Sequence, residues 1–280
     1  MKITNLKING IKDPIGYTFD HLLCSWNVEE AQGKEQTNAV IEVSLIEDFK
    51  ELAYRKEGRD LKQNGEKIEM ELKPRTTYYY RVTVESEAGE CAVSRAGVFE
   101  TGKMKEEWTG RWITTQKEDN FHPVFEKEFA VSKKVKRARL YITGVGLFEA
   151  YLDGEKIGNE YLTPYISNYE SEIQVMTFPV EKYLKDQKEH KLSVILGKGW
   201  YMGTFGLELE KNNYGNKMAL IGELHLEYED GAQEIIATDD SFVYYGSDIK
   251  DSGIYLGEIL DRKRWSQKKN EKKKVVVLNQ

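Results

Sequence analysis

Alternation of apolar and polar residues with a period of two, in short pieces separated by turn residues, constrains this chain more than any other feature. Ala39-Val40-Ile41-Glu42-Val43-Ser44-Leu45, Tyr78-Tyr79-Tyr80-Arg81-Val82-Thr83-Val84 and Arg139-Leu140-Tyr141-Ile142 read as strands. So do Leu147-Phe148-Glu149-Ala150-Tyr151-Leu152, Leu192-Ser193-Val194-Ile195-Leu196 and Leu220-Ile221-Gly222-Glu223-Leu224-His225-Leu226-Glu227-Tyr228. The reason is geometric: successive side chains of an extended backbone point to opposite faces. Between these pieces lie Asn64-Gly65, Ala88-Gly89-Glu90, Asp153-Gly154 and Asp230-Gly231, which supply the positive φ that tight hairpins require. Helical periodicity is weak, with single turns expected at 47–54 and 180–184. A composition of 17 Tyr, 23 Gly and only 5 Pro suits the same conclusion. The fold class is all-β.

A length of 280 residues suits two domains. About seven strands precede Thr101, enough for a sandwich of roughly 100 residues, so the first domain is expected at 1–102. Within it, Leu72-Lys73-Pro74-Arg75-Thr76-Thr77-Tyr78-Tyr79-Tyr80-Arg81-Val82 resembles a fibronectin type III module, in which a proline-set turn leads into a strand whose tyrosines pack across the sandwich corner. Cys24-Ser25-Trp26 is expected to place Trp26 in the core. Lys103-Met104-Lys105-Glu106-Glu107 reads as a charged linker, and Trp108-Thr109-Gly110-Arg111-Trp112-Ile113 opens a second unit. Strand and turn signals continue over 103–267, a length suited to a jelly-roll, galactose-binding-like β-sandwich. Residues 268–280 read as a charged, solvated tail. Its Val275-Val276-Val277-Leu278 tip is also able to pair as a strand, here or in a following domain.

Charge and hydropathy remove several function classes. The 41 basic and 47 acidic side chains leave a net charge of −6, whereas nucleic-acid binders usually carry a basic face. Mean hydropathy is −0.62, and neither a spanning run of ~18 apolar residues nor a secretory apolar stretch is present. No membrane or nucleic-acid partner is therefore expected, and a cytoplasmic location is the default. Cys24 and Cys91 read as free thiols in a reducing compartment, with a single bridge as the alternative. His21, His122, His190 and His225 lack metal-ligand spacing, and no nucleophile elbow or phosphate loop appears. Asp239-Asp240 reads as a turn cap. Glu258 with Asp261 and Arg262 reads as an ion-pair motif or domain contact.

Trp200 is the most informative single residue. Gly197-Lys198-Gly199-Trp200-Tyr201-Met202-Gly203 is a turn whose glycines allow sharp bends. An exposed indole there would offer a flat platform to the apolar face of a sugar, while a buried one would close the sandwich end. Both readings stand at this level.

The second unit carries a series of motifs in one order: Phe125-Glu126-Lys127-Glu128-Phe129, Gly144-Val145-Gly146-Leu147-Phe148-Glu149-Ala150-Tyr151-Leu152-Asp153-Gly154, Leu162-Thr163-Pro164, Asn168-Tyr169, Leu196-Gly197-Lys198-Gly199-Trp200-Tyr201, Thr238-Asp239-Asp240-Ser241-Phe242 and Gly257-Glu258-Ile259-Leu260-Asp261-Arg262. This series resembles the N-terminal β region of bacterial α-L-rhamnosidases, glycoside hydrolase family 78, and the fibronectin-like unit before it fits the same family. The resemblance implies an enzyme that cleaves terminal α-L-rhamnose with inversion in a following (α/α)6 barrel, using two carboxylates about 6.5–9.5 Å apart. No such helical region is visible here. The chain is therefore expected to be a non-catalytic N-terminal region that supports carbohydrate binding or substrate presentation, with rhamnose-containing saccharides and a downstream catalytic domain as partners. The alternative is a purely structural module that packs on the barrel or mediates dimerisation. The resemblance also points to sugar binding through calcium at loops 167–171 and 211–216. It suggests Trp200, Asn168, Asn212 and Asn213 as sugar contacts, and Glu170 and Asn213 as calcium ligands. Ser171 stands where the family carries an amide, a better calcium donor.

Overall fold

A computed structural model describes residues 1–117, 121–184, 188–204, 206–207, 209–263 and 270–278. The chain divides into two compact units, Met1–Glu107 and Trp108–Gln280. Beyond a four-residue α-helix and a 3-10 turn, the described elements are strands.

The first unit contains β1 (Lys2–Ile8), β2 (Ile15–Tyr17), β3 (Leu22–Glu29), β4 (Gln36–Ser44), β5 (Leu52–Gly58), β6 (Glu66–Ile68), β7 (Thr77–Ser86), β8 (Cys91–Val93) and β9 (Gly97–Thr101). One sheet has the order β1-β3-β6; the other runs β2-β9-β7-β4-β5, with β8 also on β7. Nine strands replace the expected seven or so, because three-residue pieces such as β2 and β8 pair too briefly to show alternation. Trp26 is buried as expected, among Ile8, Cys24, Ile41, Tyr78, Tyr80 and Phe99. The Tyr78 and Phe99 rings stack with centroids 5.0 Å apart. The proline turn closes onto this strand through the Lys73 N–H, which donates to Tyr78 Oη at 2.8 Å. Burial pushes the Cys24 thiol up to about 12, which leaves it inert, while Cys91 is free and exposed. The expected helical turn at 47–54 does not form, and its second half enters β5, paired residue by residue with β4. Residues 103–107, read as a linker, belong to this unit, where the Arg75 guanidinium pairs with Glu106.

The second unit contains β10 (Ile113–Thr114), β11 (Pro123–Ala130), β12 (Val135–Val145), β13 (Leu147–Leu152), β14 (Glu155–Lys156), β15 (Met176–Pro179), β16 (Glu189–Gly197), α1 (Gly199–Met202), β17 (Ala219–Tyr228), β18 (Gln233–Ala237), β19 (Val243–Gly246), β20 (Ile249–Gly253), β21 (Gly257–Leu260), β22 (Lys273–Lys274) and β23 (Val276–Val277). One sheet runs β15-β12-β17-β10-β23, with β18 also on β17; the other runs β14-β13-β16-β11-β19-β22. Both inner faces feed one core that includes Phe125, Leu140, Phe148, Leu196, Leu220 and Tyr244. The Asp153-Gly154 hairpin forms as read, with φ of 52° and 83° at its two central residues. The 3-10 turn falls at Glu181–Tyr183, inside the expected 180–184. The junction drawn at 267–268 lies outside the described residues. Beyond it, the segment read as a solvated tail instead enters both sheets, as β22 beside β19 and β23 beside β10. The physical reason is that Val275 is buried in the core and Lys272 reaches the buried carboxylate of Glu126.

Glu223 ties the start of this unit to its longest strand pair. Its fully buried carboxylate accepts from the Thr109 and Gly110 N–H groups, the latter at 2.9 Å, and meets His225 Nε2 at 2.8 Å. A carboxylate so deep is tolerated because both of its oxygens have hydrogen-bond partners. Truncation by Glu223→Ala should leave those donors unsatisfied and cost about 2–4 kcal/mol. Urea unfolding monitored by fluorescence checks this; a loss under ~0.5 kcal/mol, the range of neutral surface changes, would contradict the role assigned to it.

Candidate functional site

One end of the second sandwich gathers its longest loops. There β12 ends at Val145 and β13 begins at Leu147, opposite Gly197 at the end of β16. The start of β11 at Pro123 faces Gly246 at the end of β19, and β17 begins at Ala219, opposite Val145. The loop carrying Leu162-Thr163-Pro164 is held to this end because the Phe148 N–H donates to the Thr163 carbonyl at 2.7 Å.

Helix α1 follows β16 directly and presents Trp200 and Tyr201. The Tyr201 ring meets Tyr169 edge-on with centroids 5.4 Å apart, and Tyr169 meets Tyr214 at 5.1 Å. Such tilted aromatic contacts add stabilisation beyond area burial. The backbone repeats the connection: the Tyr214 N–H donates to Tyr201 O at 3.2 Å and the Asn212 N–H to Met202 O at 3.4 Å. At Gly215 a β-carbon would lie 2.1 Å from Tyr201 Oη, so only glycine lets the loop pass the ring. Burial, with Tyr214 second, raises the Tyr169 hydroxyl above the usual phenolic range. The two loops proposed from sequence are thus brought together beside α1, through three tyrosines.

The individual candidates have distinct situations. Trp200 is half-buried on α1, between the platform and core extremes. Asn168 is exposed, but its amide shapes its own loop: Oδ1 accepts from the Glu170 N–H at 3.2 Å and Nδ2 donates to Ser171 Oγ at 3.2 Å. Asn212 has φ of 58°, a left-handed conformation that asparagine tolerates better than most residues. Asn213 and Glu170 are exposed on the two apposed loops. The donor set is all oxygen, as calcium prefers, but Glu170 and Asn213 supply only part of the six to eight oxygens calcium takes. Backbone carbonyls, water or ligand hydroxyls would have to complete the shell. Among the described residues no group of three or more His, Cys, Asp or Glu side chains forms a metal site. Glu258 is exposed, and Arg262 pairs with Asp248 at 4.0 Å.

A polar cluster that the sequence did not reveal lies at the same end. His122 is buried, with Nε2 2.7 Å from Ser252 Oγ, and Lys198, next to α1, pairs with Asp251 at 2.5 Å. Burial, reinforced by the nearby Lys198 charge, pulls the His122 imidazole down to about 4, and the Lys198 ammonium holds Asp251 below the ordinary carboxylate range. His122 and Ser252 are 130 residues apart, too far for any local motif to signal.

Comparison with known proteins gives a consistent picture. Residues 133–279 match the family described as the alpha-L-rhamnosidase N-terminal domain, and residues 3–105 match a Rha78A-like N-terminal immunoglobulin domain. An alpha-L-rhamnosidase of Alteromonas sp. (strain LOR) is 24% identical over 93% of this chain and 30% of its own length. One from Formosa agariphila is 26% identical over 91% of this chain and 30% of its own. Among solved structures, an alpha-L-rhamnosidase from Dictyoglumus thermophilum superposes with a TM-score of 0.86 at 27% identity, covering all of this chain and 34% of that one. The Streptomyces avermitilis alpha-L-rhamnosidase complexed with L-rhamnose shares the fold, with a TM-score of 0.88 at 16% identity over 99% of this chain and 45% of that one. This chain therefore spans about a third of the length of the curated relatives that match most of it.

The buried histidine sets a pH dependence with a definite sign. The unfolded chain takes up the His122 proton near pH 6.5, while the folded state resists it until about 4. Stability should therefore fall as pH drops from 6.5 and level off below 4, with roughly 3 kcal/mol as the upper size of the effect. The difference between wild type and His122→Gln, measured by urea unfolding from pH 7 to pH 3.5, isolates this contribution from the carboxylates. Parallel curves would refute it.

Proposed function

The chain belongs to the α-L-rhamnosidase N-terminal domain family, and on that footing we propose that its second unit binds a terminal rhamnose unit and presents it to a hydrolase. The chain corresponds to the non-catalytic N-terminal region of such enzymes. We assign the hydrolytic step to the part of the relatives that this chain does not match. The observation that carries the sugar-binding reading is the convergence of Trp200 and the Tyr169–Tyr201–Tyr214 cluster at one loop end of the sandwich. Aromatic faces stack on the apolar face of a pyranose, and amides beside them fix its orientation. In this reading the accessible part of Trp200 is the platform and the tyrosines hold α1 against both loops. Asn212 and Asn213 offer polar contacts, and Asn168 acts by shaping its loop. Glu170 and Asn213 are the residues that would hold calcium, whose role would be to bridge sugar hydroxyls to the protein. The L-rhamnose in the Streptomyces avermitilis complex is the ligand that this reading brings to the present chain.

One sugar ring makes few contacts, so the dissociation constant should fall at ~0.1–10 mM, about 3–5 kcal/mol. Calorimetric or NMR titration with L-rhamnose, with calcium and then with a chelator, measures it. Trp200→Ala should abolish the response and, because the indole is only half-buried, cost less than the ~3–5 kcal/mol of a core tryptophan. No heat or shift change up to ~50 mM sugar would end the sugar-binding reading. Pure material should leave an aryl α-L-rhamnoside unhydrolysed above the buffer rate.

A further inference from the structure

We propose that the Asn64–Gly65 peptide is a spontaneous modification site, where the asparagine deamidates through a succinimide at a rate throttled by Ser25. Two Asn-Gly pairs occur in the chain, Asn9-Gly10 and Asn64-Gly65. Both glycines have positive φ, 77° and 74°, and a β-carbon at either would meet nothing within 4 Å. With no side chain in the way, each glycine nitrogen is open to approach by the preceding carboxamide. What separates the two pairs is how that carboxamide is held.

Asn9 is clamped at both ends. Its Nδ2 donates to the His21 carbonyl at 2.9 Å, and its Oδ1 accepts from the Leu23 N–H at 2.7 Å. Swinging Cγ over the Gly10 nitrogen would break both bonds. Asn64 is exposed, and the hydrogen bond to its carboxamide is a long one, from the Ser25 hydroxyl to Oδ1 at 3.3 Å. The same hydroxyl accepts from the Gly65 N–H at 2.9 Å. One side chain therefore restrains both reacting groups, and a single rotation of Ser25 releases them together.

The chemistry needs no partner but water. The Gly65 nitrogen loses its proton and attacks Asn64 Cγ. The N–Cγ bond forms, the Cγ–Nδ2 bond breaks, and Nδ2 leaves as ammonia with that proton. Water then opens the ring. Addition at Cγ breaks the new bond and gives aspartate; addition at the main-chain carbonyl carbon of residue 64 breaks the original peptide bond and gives isoaspartate. The second product carries an extra methylene in the main chain.

The place of this insertion gives it a structural effect. The Gln63 carbonyl accepts from the Trp26 N–H at 2.9 Å, and the edge strand β6 begins at Glu66, opposite Cys24. A methylene added between Gln63 and Glu66 shifts these two attachments against each other, beside the buried Trp26. Either product also adds a carboxylate close to Glu66, which Lys56 neutralises at 2.6 Å. Modification thus loosens the edge strand of the first unit. The inference depends on neither the family assignment nor sugar binding.

The test ages residues 1–280 at neutral and mildly alkaline pH and maps both sites by mass spectrometry that separates aspartate from isoaspartate. Position 64 should convert at least about tenfold faster than position 9, the weight of one to two neutral hydrogen bonds. This ratio is the readout, because global unfolding would not raise it. Ser25→Ala should increase the ratio roughly two- to tenfold, the weight of one such bond, whereas Ser25→Thr, which keeps the hydroxyl, should leave it near the wild-type value. Hydrogen exchange over 66–68 should quicken on ageing in the wild type and stay constant in Asn64→Gln. An intact Asn64, equal rates at the two positions, or a ratio no higher in Ser25→Ala than in Ser25→Thr would overturn the proposal.

Discussion

Everything that the second unit displays hangs on the antiparallel pairing of Val135–Val145 with Ala219–Tyr228. This register brings the end of one strand and the start of the other to the same edge, Val145 opposite Ala219. The one-residue connection at Gly146 and the long 203–218 connection must therefore emerge at one end of the sandwich. A one-residue slip would turn the buried Leu220, Leu224 and Leu226 to the opposite face and separate the loops. The pairing is locked from the side as well, since Glu223 on the same strand accepts the Thr109 and Gly110 N–H groups. Core packing and loop display are thus consequences of one register.

The strands were largely legible because alternation is local. Leu147–Leu152 and Ala219–Tyr228 each carry their own burial pattern in sequence, and Asp153-Gly154 carries its own turn. The rhamnosidase family was legible because many short motifs occur in one order. What stayed hidden depends on distant partners or on a choice between equal alternatives. The Lys272–Glu126 pair spans 146 residues, and it helps turn an apparently solvated lysine run into an edge strand. Asn168 and Asn212 looked like sugar contacts, since asparagine serves turns and ligands equally well. The Asn168 Oδ1 contact and the positive φ of Asn212 give both residues a local backbone role as well.

Trp200 illustrates how the two roles of an aromatic residue coexist. A core tryptophan and an exposed platform are opposite extremes of burial, and the half-buried indole on α1 stands between them. Neighbouring Tyr201 explains how this is stable. Its ring packs against Tyr169 while Gly215 passes its edge, so the helix is held by its second aromatic residue and the first keeps an accessible portion.

Lys198 joins the aromatic cluster to the hairpin, since it immediately precedes α1 and pairs with Asp251. How strongly the two are coupled is a question of magnitudes. The ion pair is partly exposed, with side-chain accessibilities of 30% and 48%, which limits it to about 0–1 kcal/mol. The His122–Ser252 bond adds about 1 kcal/mol. Together these are worth no more than burying a single large apolar side chain, about 1.5–3 kcal/mol, a modest link between the β20–β21 hairpin and the start of α1.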